Sequence, residues 1–203
     1  MSKLFSEQYL EIMDTPVFEE YTFWDQLSKR RIFANEDIKD NVVEKAIIQI
    51  MNFNDEDENI PLDKRKPIKI YINTLGGHVD IGLVFANVIK QSKTPIHTIA
   101  LGNAASMGAI LLMAGHKRSA YSFSNILIHS GSTFLGGTSN QVQDTLDYYK
   151  EKEKHIKDFI LKNTKITEEK YKEMFRNEWW MTSETALENG IIDEIIGSDN
   201  NGN

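Results

Sequence analysis

The sequence predicts one layered α/β domain, and two neighbouring strand-then-helix segments carry this prediction. Residues 68–73 alternate in polarity and are rich in β-forming residue types, and a helical period follows over residues 80–91. Residues 96–101 form an apolar strand pattern that passes through small residues into an apolar helix pattern at residues 107–114. Since neighbouring parallel strands end at the same edge of a sheet, the turns after the two strands are expected to line one crevice.

The remaining elements are predicted from the same periodicities. A short strand at residues 31–33 precedes a helix at residues 42–51, which either Asp40 or Asn41 can cap. Residues 52–67 hold an acidic run and a basic run around a proline, a composition typical of a solvated loop. Further along, the pattern predicts strands at 119–123, 126–129 and 191–196, a long amphipathic helix at 140–162, and shorter helices at 167–176 and 183–189.

The composition excludes several classes of protein. A chain of 203 residues suffices for one domain with a real core, and a formal net charge of -7 leaves no basic surplus for nucleic acid or an anionic membrane. Cysteine is absent, which excludes disulfides and thiolate zinc sites, and residues 1–14 lack the apolar core of a secretion signal. Residues 94–115 carry no charged side chain, but Pro95, Gly102 and scattered polar residues leave apolar pieces too short to span a bilayer. A cytoplasmic location is therefore expected.

Ser106 is the first candidate for chemistry, because it lies between a predicted strand and a predicted helix. Such a turn exposes the hydroxyl and points free backbone N–H groups, with the positive end of the helix dipole, at whatever the oxygen attacks. The alternative is that Ser106 only starts the helix, as serines often do.

A glycine pair and a histidine also directly follow or close predicted strands. Gly76 and Gly77 follow the other strand, where they either present an N–H group to a substrate or form a plain tight turn. His129 closes a short apolar strand at a loop, a position from which an imidazole can reach a hydroxyl, and a structural role is the alternative. His116 and His155 lie among charged residues and are expected to be solvated.

Four segments together form a recognisable set. They are residues 71–79 (YINTLGGHV), residues 102–109 (GNAASMGA), residues 126–129 (ILIH), and Met181-Thr182-Ser183 through Ala186, Gly190 and Asp193. The order of these segments and their approximate spacing resemble those of the ClpP family, the proteolytic subunits of Clp proteases. The segment AASMGA is the most specific part of the resemblance. The resemblance divides the chain into an N-terminal segment of uncertain structure (1–23), a ClpP-like peptidase domain (24–196) and a disordered tail (197–203).

The resemblance implies a fold and a set of roles. The fold would be a spiral of repeated ββα units shared with crotonases, in which the helix at residues 140–162 is a projecting handle through which two rings pair. Ser106 would be the nucleophile and His129 the general base. The backbone N–H groups of Gly77 and Met107 would form the oxyanion hole.

The chain also departs from the family pattern. It has Thr74-Leu75 where the family usually has serine-proline, and Ser130-Gly131 where the family has glutamine-proline. The segment that forms the axial pore loops is not recognisable in residues 1–23, which leaves the docking of an ATP-driven unfoldase open.

The third member of the catalytic triad is altered as well. An alignment without a gap puts Glu178 where the family has aspartate. Either carboxylate can orient an imidazole, and Trp179 and Trp180 are expected to screen Glu178 from water. Glu173 is a competing acid, and a plain surface role for Glu178 is the alternative.

The sequence therefore predicts a serine endopeptidase that cleaves peptides or unfolded proteins through an acyl-enzyme inside a ring chamber. The expected assembly is a homo-oligomer of two stacked heptameric rings, a tetradecamer. An AAA+ ATPase partner is left open, neither nucleic acid nor a membrane is expected as a partner, and no metal or organic cofactor is required. The alternatives are a catalytically silent ClpP-like ring subunit and a crotonase-like acyl-CoA enzyme on the same fold.

Overall fold

The chain is described by a computed structural model that covers residues 18–131, 135–174 and 177–197. Predictions that concern residues 1–17 and 198–203 lie outside these ranges. A seven-stranded, largely parallel sheet forms the centre of the described part, with helices packed against it. The predicted mixed α/β fold is confirmed. None of the helices in these ranges has the length and apolarity that crossing a membrane requires.

The elements have the following bounds. The strands are β1 (Arg31–Ala34), β2 (Ile68–Thr74), β3 (Ile96–Ala105), β4 (Lys117–Tyr121), β5 (Asn125–Ile128), β6 (Trp179–Thr182) and β7 (Glu194–Ile196). The helices of the described ranges are α1 (Phe18–Ser28), α2 (Ile48–Glu56), α3 (Val79–Gln91), α4 (Met107–Ala114), α5 (Ser139–Asn163), α6 (Glu168–Met174) and α7 (Ser183–Glu188). A π-helical stretch (Val43–Ile47) leads into α2, and a short 3-10 helix spans Leu62–Lys64.

The sheet is organised around β3. Five strands lie in the order β1-β2-β3-β4-β7, each parallel to its neighbour. β3 is longer than predicted because its two halves have different partners: residues 97–100 pair with β4, and residues 103–105 pair with β5. β6 pairs with β5 in the antiparallel sense. The C-terminal end of β3 is therefore held by β5 at the point where the chain enters α4.

The core lies between the sheet and two helices, α3 and α4. The inward side chains of β2, Ile68, Ile70 and Ile72, are fully buried. Every residue of α4 is buried as well, as expected of a helix that is apolar on all sides. A fully buried leucine or isoleucine contributes about 1.5–3 kcal/mol, so α4 and the turn before it are firmly anchored.

The structure corrects several predicted boundaries. The loop predicted over residues 52–67 begins later, because α2 continues to Glu56 and buries Phe53 against the core. The unassigned residues from 18 onward form α1, which buries Leu27. β4 covers residues 117–121 rather than 119–123. The last strand, predicted over residues 191–196, is limited to residues 194–196 (β7), because only these three residues pair with β4.

A buried ion pair fixes the end of α2 near the start of β1. Asp57 is 1% exposed and accepts two hydrogen bonds from the guanidinium of Arg30, at 2.6 and 2.8 Å. The hydroxyl of Thr94 donates to the same carboxylate at 2.7 Å. The hydrogen bond from Arg30 is the main reason that the pKa of Asp57 lies below its ordinary value. The pair ties together three segments that are distant in sequence.

Asp57→Asn is expected to lower the free energy of unfolding at pH 7 by about 3 kcal/mol, because it leaves a largely buried guanidinium without its charged partner. The folded-state pKa of Asp57 lies below the unfolded value of about 3.9. The stabilisation is therefore present above that pH and is lost as the pH falls through the folded-state pKa. Urea denaturation between pH 7 and pH 3 measures both effects, and the variant should lose less stability in acid than the wild type.

Glu56→Gln is the matched control. Glu56 contacts the same guanidinium at 3.2 Å, but its side chain is 60% exposed, so the expected loss is below about 1 kcal/mol. Equal losses in the two variants would contradict the role assigned to the buried pair.

Candidate active site

Ser106 lies on a sharp turn between β3 and α4. Its φ of 55° is positive, a conformation that costs a non-glycine residue roughly 1–3 kcal/mol. Its backbone N–H donates to the carbonyl of Leu127 at 3.0 Å, and its carbonyl accepts from the N–H of Ala109 at 3.0 Å. Although Ser106 occupies the N-cap position of α4, its hydroxyl makes no capping hydrogen bond. This argues against the alternative that the side chain serves only to start the helix.

Gly76 and Gly77 lie directly against this turn. Their φ angles are 113° and 149°, which side chains rarely permit. A Cβ atom at Gly76 would lie 2.7 Å from the Cβ of Ser106, and one at Gly77 would lie 2.4 Å from the carbonyl oxygen of Ile38. The N–H of Ile38 in turn donates to the carbonyl of Gly76 at 2.8 Å. The two strand-to-helix turns meet, as the sequence predicts.

Two backbone N–H groups at this junction have no acceptor within the part of the chain that the structure describes. Among the described residues, neither the N–H of Gly77 nor that of Met107 donates to a protein acceptor. Met107 is the first residue of α4, so its N–H also lies at the positive end of the helix dipole. These are the two groups that the resemblance assigns to the oxyanion hole.

His129 comes directly after β5 and shares a cavity with Ser106. The cavity has a volume of about 130 Å³, and both side chains line it. Within the described ranges no hydrogen bond joins the Ser106 hydroxyl to the His129 imidazole. Catalytic hydrogen bonds are often long in structures without substrate, so the shared cavity is compatible with a base role.

Glu178 directly precedes β6, as His129 directly follows β5, and its carboxylate has a partner other than the histidine. β5 and β6 are antiparallel, with Ile128 opposite Trp179, and continuing this register by one residue puts His129 opposite Glu178. The Glu178 carboxylate accepts a hydrogen bond from the indole N–H of Trp180 at 3.2 Å and is exposed. The expectation that the tryptophans screen Glu178 from water is wrong, because Trp180 itself is half exposed.

Two of the other histidines, His116 and His97, make hydrogen bonds within the fold. His116 is exposed, as expected, and its Nδ1 accepts a hydrogen bond from the N–H of Ile96 at 3.0 Å. Burial, with a smaller contribution from Lys90, lowers the pKa of His116. His97 contacts the buried hydroxyl of Ser119 through Nε2 at 2.5 Å. His155 is exposed on α5, as expected.

Lys152 lines the cavity and was not among the candidates from the sequence. The sequence could have identified Lys152 by its spacing on α5. Tyr149 lies three residues before it and Ile156 four residues after it, both on the apolar side of the helix. Within the described ranges no three histidine, aspartate or glutamate side chains converge in a group that could hold a metal ion.

The fold and the site define a mixed α/β protein with a serine on a strained strand-to-helix turn and a histidine in the same cavity. A family model described as Clp protease matches residues 18–199. The ATP-dependent Clp protease proteolytic subunit of Borreliella afzelii is 31% identical over 172 residues, which are 84% of this chain and 84% of that protein.

Two other relatives give the same result. The ATP-dependent Clp protease proteolytic subunit of Deinococcus radiodurans is 32% identical over 183 residues, 87% of this chain and 85% of the relative. Proteolytic subunit 2 of Prochlorococcus marinus is 32% identical over 175 residues, 83% of each chain. The chain belongs to the Clp protease family, as a distant relative of the ClpP proteolytic subunits. The resemblance seen in its motifs is thereby confirmed, and the parallel sheet is consistent with the ClpP/crotonase fold.

Proposed function

We propose that this protein is a cytoplasmic serine endopeptidase that cleaves peptides or unfolded proteins inside an oligomeric ring chamber. One observation carries the proposal. Ser106 lies on a strained turn and its hydroxyl makes no helix-capping hydrogen bond. The residue also packs against Gly76 and shares a cavity with His129. A serine that only ended a strand would have no need of a positive φ.

In the proposed reaction, Ser106 Oγ attacks the carbonyl carbon of the scissile peptide bond while His129 accepts the hydroxyl proton. His129 then donates this proton to the leaving amine, and a water molecule hydrolyses the resulting acyl-enzyme with help from the same base. The N–H groups of Gly77 and Met107 would bind the developing oxyanion. Each such donor is typically worth about 3–4 kcal/mol of the barrier.

Glu178 is proposed to orient the imidazole of His129. The register of β5 and β6 supports this role, since continuing it by one residue would put the two backbone positions opposite each other. The carboxylate would have to leave the indole of Trp180 and turn toward the histidine. This proposal therefore includes a side-chain rearrangement at an exposed position.

The alternatives predict different behaviour of the same residues. A catalytically silent ring subunit is favoured by the exposed Glu178 and by the missing Ser106–His129 hydrogen bond among the described residues. An acyl-CoA enzyme of the crotonase type would use the paired N–H groups but needs no serine-histidine pair. Covalent labelling of Ser106 separates both alternatives from the peptidase.

Ser106→Ala is expected to abolish peptide cleavage and labelling by a fluorophosphonate probe, because it removes the attacking oxygen while alanines already flank the turn. Peptide mapping of the labelled wild-type protein should identify Ser106. Ser122→Ala is the control, since its hydroxyl donates to the carbonyl of Ile196 at 3.2 Å on a remote turn. Wild-type turnover by the Ser106→Ala variant would refute the peptidase.

Glu178→Gln is expected to lower the cleavage rate at least tenfold, since an amide stabilises the imidazolium far less than a carboxylate. Glu173→Gln, an exposed acid on α6, is expected to change little. The measurement is kcat/KM for one peptide substrate. Near wild-type rates for both variants would mean that another group orients His129 or that the enzyme works as a dyad.

The proposed assembly is two stacked heptameric rings. The relatives are named as subunits of an ATP-dependent protease, so an AAA+ ATPase partner is part of the proposal. Support comes from α5, a helix of 25 residues that leaves Leu146 and Tyr148 exposed. Apolar side chains left exposed on a long helix are available for contact with a neighbouring subunit.

Sedimentation velocity at micromolar concentration is expected to give a species near fourteen chains, or seven if the rings separate. A chamber explains how such a site avoids digesting cellular proteins. A stable monomer that still digests peptides would contradict the ring assembly while leaving the chemistry intact.

A further inference from the structure

Glu178 and Trp180 lie on the exposed face of the two-stranded ribbon that β5 and β6 form. Burial alternates along β6, so Trp179 and Met181 are buried whereas Trp180 and Thr182 are exposed. Glu178 directly precedes the strand and is exposed as well. Its carboxylate accepts a hydrogen bond from the indole N–H of Trp180 at 3.2 Å. The indole thus holds the carboxylate that the proposed triad requires.

The imidazole of His129 is the competing partner for this carboxylate. β5 and β6 are antiparallel, and continuing their register by one residue would put His129 opposite Glu178. Directly opposite residues of an antiparallel pair project to the same face, with Cβ atoms about 4.5–5.5 Å apart. From such a position, rotation about the side-chain bonds of a glutamate can turn its carboxylate toward either ring.

The two possible hydrogen bonds of the carboxylate differ in strength during the reaction. Before the attack, the imidazole must be uncharged in order to accept a proton, so the imidazole and the indole each offer one neutral N–H donor. Once the imidazole of His129 has taken the proton of the Ser106 hydroxyl, it is a cation, and the attraction between opposite charges is added to its hydrogen bond with the carboxylate. The indole can therefore compete for the carboxylate before proton transfer but not after it.

We propose that Trp180 is a positioning residue that restrains the peptidase. Its indole N–H holds the Glu178 carboxylate away from His129 in the free enzyme, and the carboxylate turns to the imidazole when proton transfer makes the imidazole a cation. The inference rests on the peptidase function proposed above. The indole N–H slows turnover, because the carboxylate has to leave it before it can stabilise the imidazolium.

The test compares kcat and KM of the full-length assembled protein for one peptidyl coumarin amide. Trp180→Phe keeps an aromatic ring and removes the N–H donor, so kcat should rise about threefold to tenfold, the effect of one hydrogen bond on an equilibrium between two side-chain positions. KM should stay unchanged, because the indole acts on the carboxylate and not on the substrate. A purely structural role of Trp180 would instead lower kcat or raise KM.

The gain in kcat must depend on Glu178. In a Glu178→Gln background, Trp180→Phe should change kcat by less than about twofold, because the carboxylate that the indole restrains is gone. Glu153 is another carboxylate that lines the cavity, but it lies on α5 and outside the β5–β6 ribbon, so the full gain should persist in a Glu153→Gln background. A gain that survives Glu178→Gln would overturn the inference.

Trp24→Phe is the matched control. Trp24 is 54% exposed, close to the 49% of Trp180, and its ring contacts that of Phe23 on α1. The same substitution at this remote position should leave kcat unchanged. An equal gain in both variants, or an unchanged or lower kcat in Trp180→Phe, would show that the indole N–H does not restrain the enzyme.

An isosteric replacement keeps the test decisive even if Trp180→Phe fails to assemble. Benzothienylalanine has the bicyclic shape of tryptophan with sulfur in place of the N–H group. Its incorporation in place of Trp180 should give the same gain in kcat, and the absence of that gain counts against the inference.

Fluorophosphonate labelling of Ser106 distinguishes the failure of this inference from the failure of the proposed function. Labelling together with an unchanged or lower kcat after loss of the indole N–H would overturn the role of Trp180 alone. Absence of labelling and of cleavage in the wild type and in all variants would refute the peptidase, and this inference with it.

Discussion

The two strand-to-helix turns pack against each other at distances that only glycine permits. A Cβ atom at Gly76 would come within 2.7 Å of the Cβ of Ser106. The same closeness recurs behind the turns, where a Cβ atom at Gly82 would lie 2.5 Å from Met107 and one at Gly108 would lie 2.8 Å from Thr74. Because tightly packed elements shift when even a methyl group is inserted, the spacing of hydroxyl and N–H groups at the site depends on these three contacts.

The strain at Ser106 is supported by the strand that carries the candidate base. The N–H of Ser106 bonds to the carbonyl of Leu127 in β5, and His129 follows two residues later on the same stretch of chain. Burial of the whole of α4 holds the other side of the turn. One strand therefore positions both members of the proposed nucleophile-base pair, which limits how far they can move apart.

The residues of the candidate site are not all held equally firmly. Ser106 and the glycine turn are held by buried strands and helices, whereas Glu178 is exposed and bonded to a neighbouring indole. Lys152 shows the opposite behaviour, because an ion pair with Asp80 and the ring of Tyr148 hold its buried side chain in place. The charged groups around the cavity are thus held with very different rigidity.

The sequence by itself determined the fold class, the two turns and the position of Ser106. Those features depend on local periodicity, on glycine and small residues, and on the AASMGA segment, all of which lie within short stretches of chain. The sequence also identified His129, because a histidine at the end of an apolar strand can be recognised from the local pattern without knowing which residue it contacts.

Only the tertiary structure decided which residues meet. The continuation of α2 to Glu56 depends on Phe53 reaching the core, and the hydrogen bond that His116 accepts depends on the position of the Ile96 N–H. The burial of Lys152 depends on Asp80, which is 72 residues away in sequence. A periodic sequence pattern determines the face of the element on which a side chain lies. The partner of that side chain depends on how elements that are distant in sequence pack together, and no local stretch of sequence determines this packing.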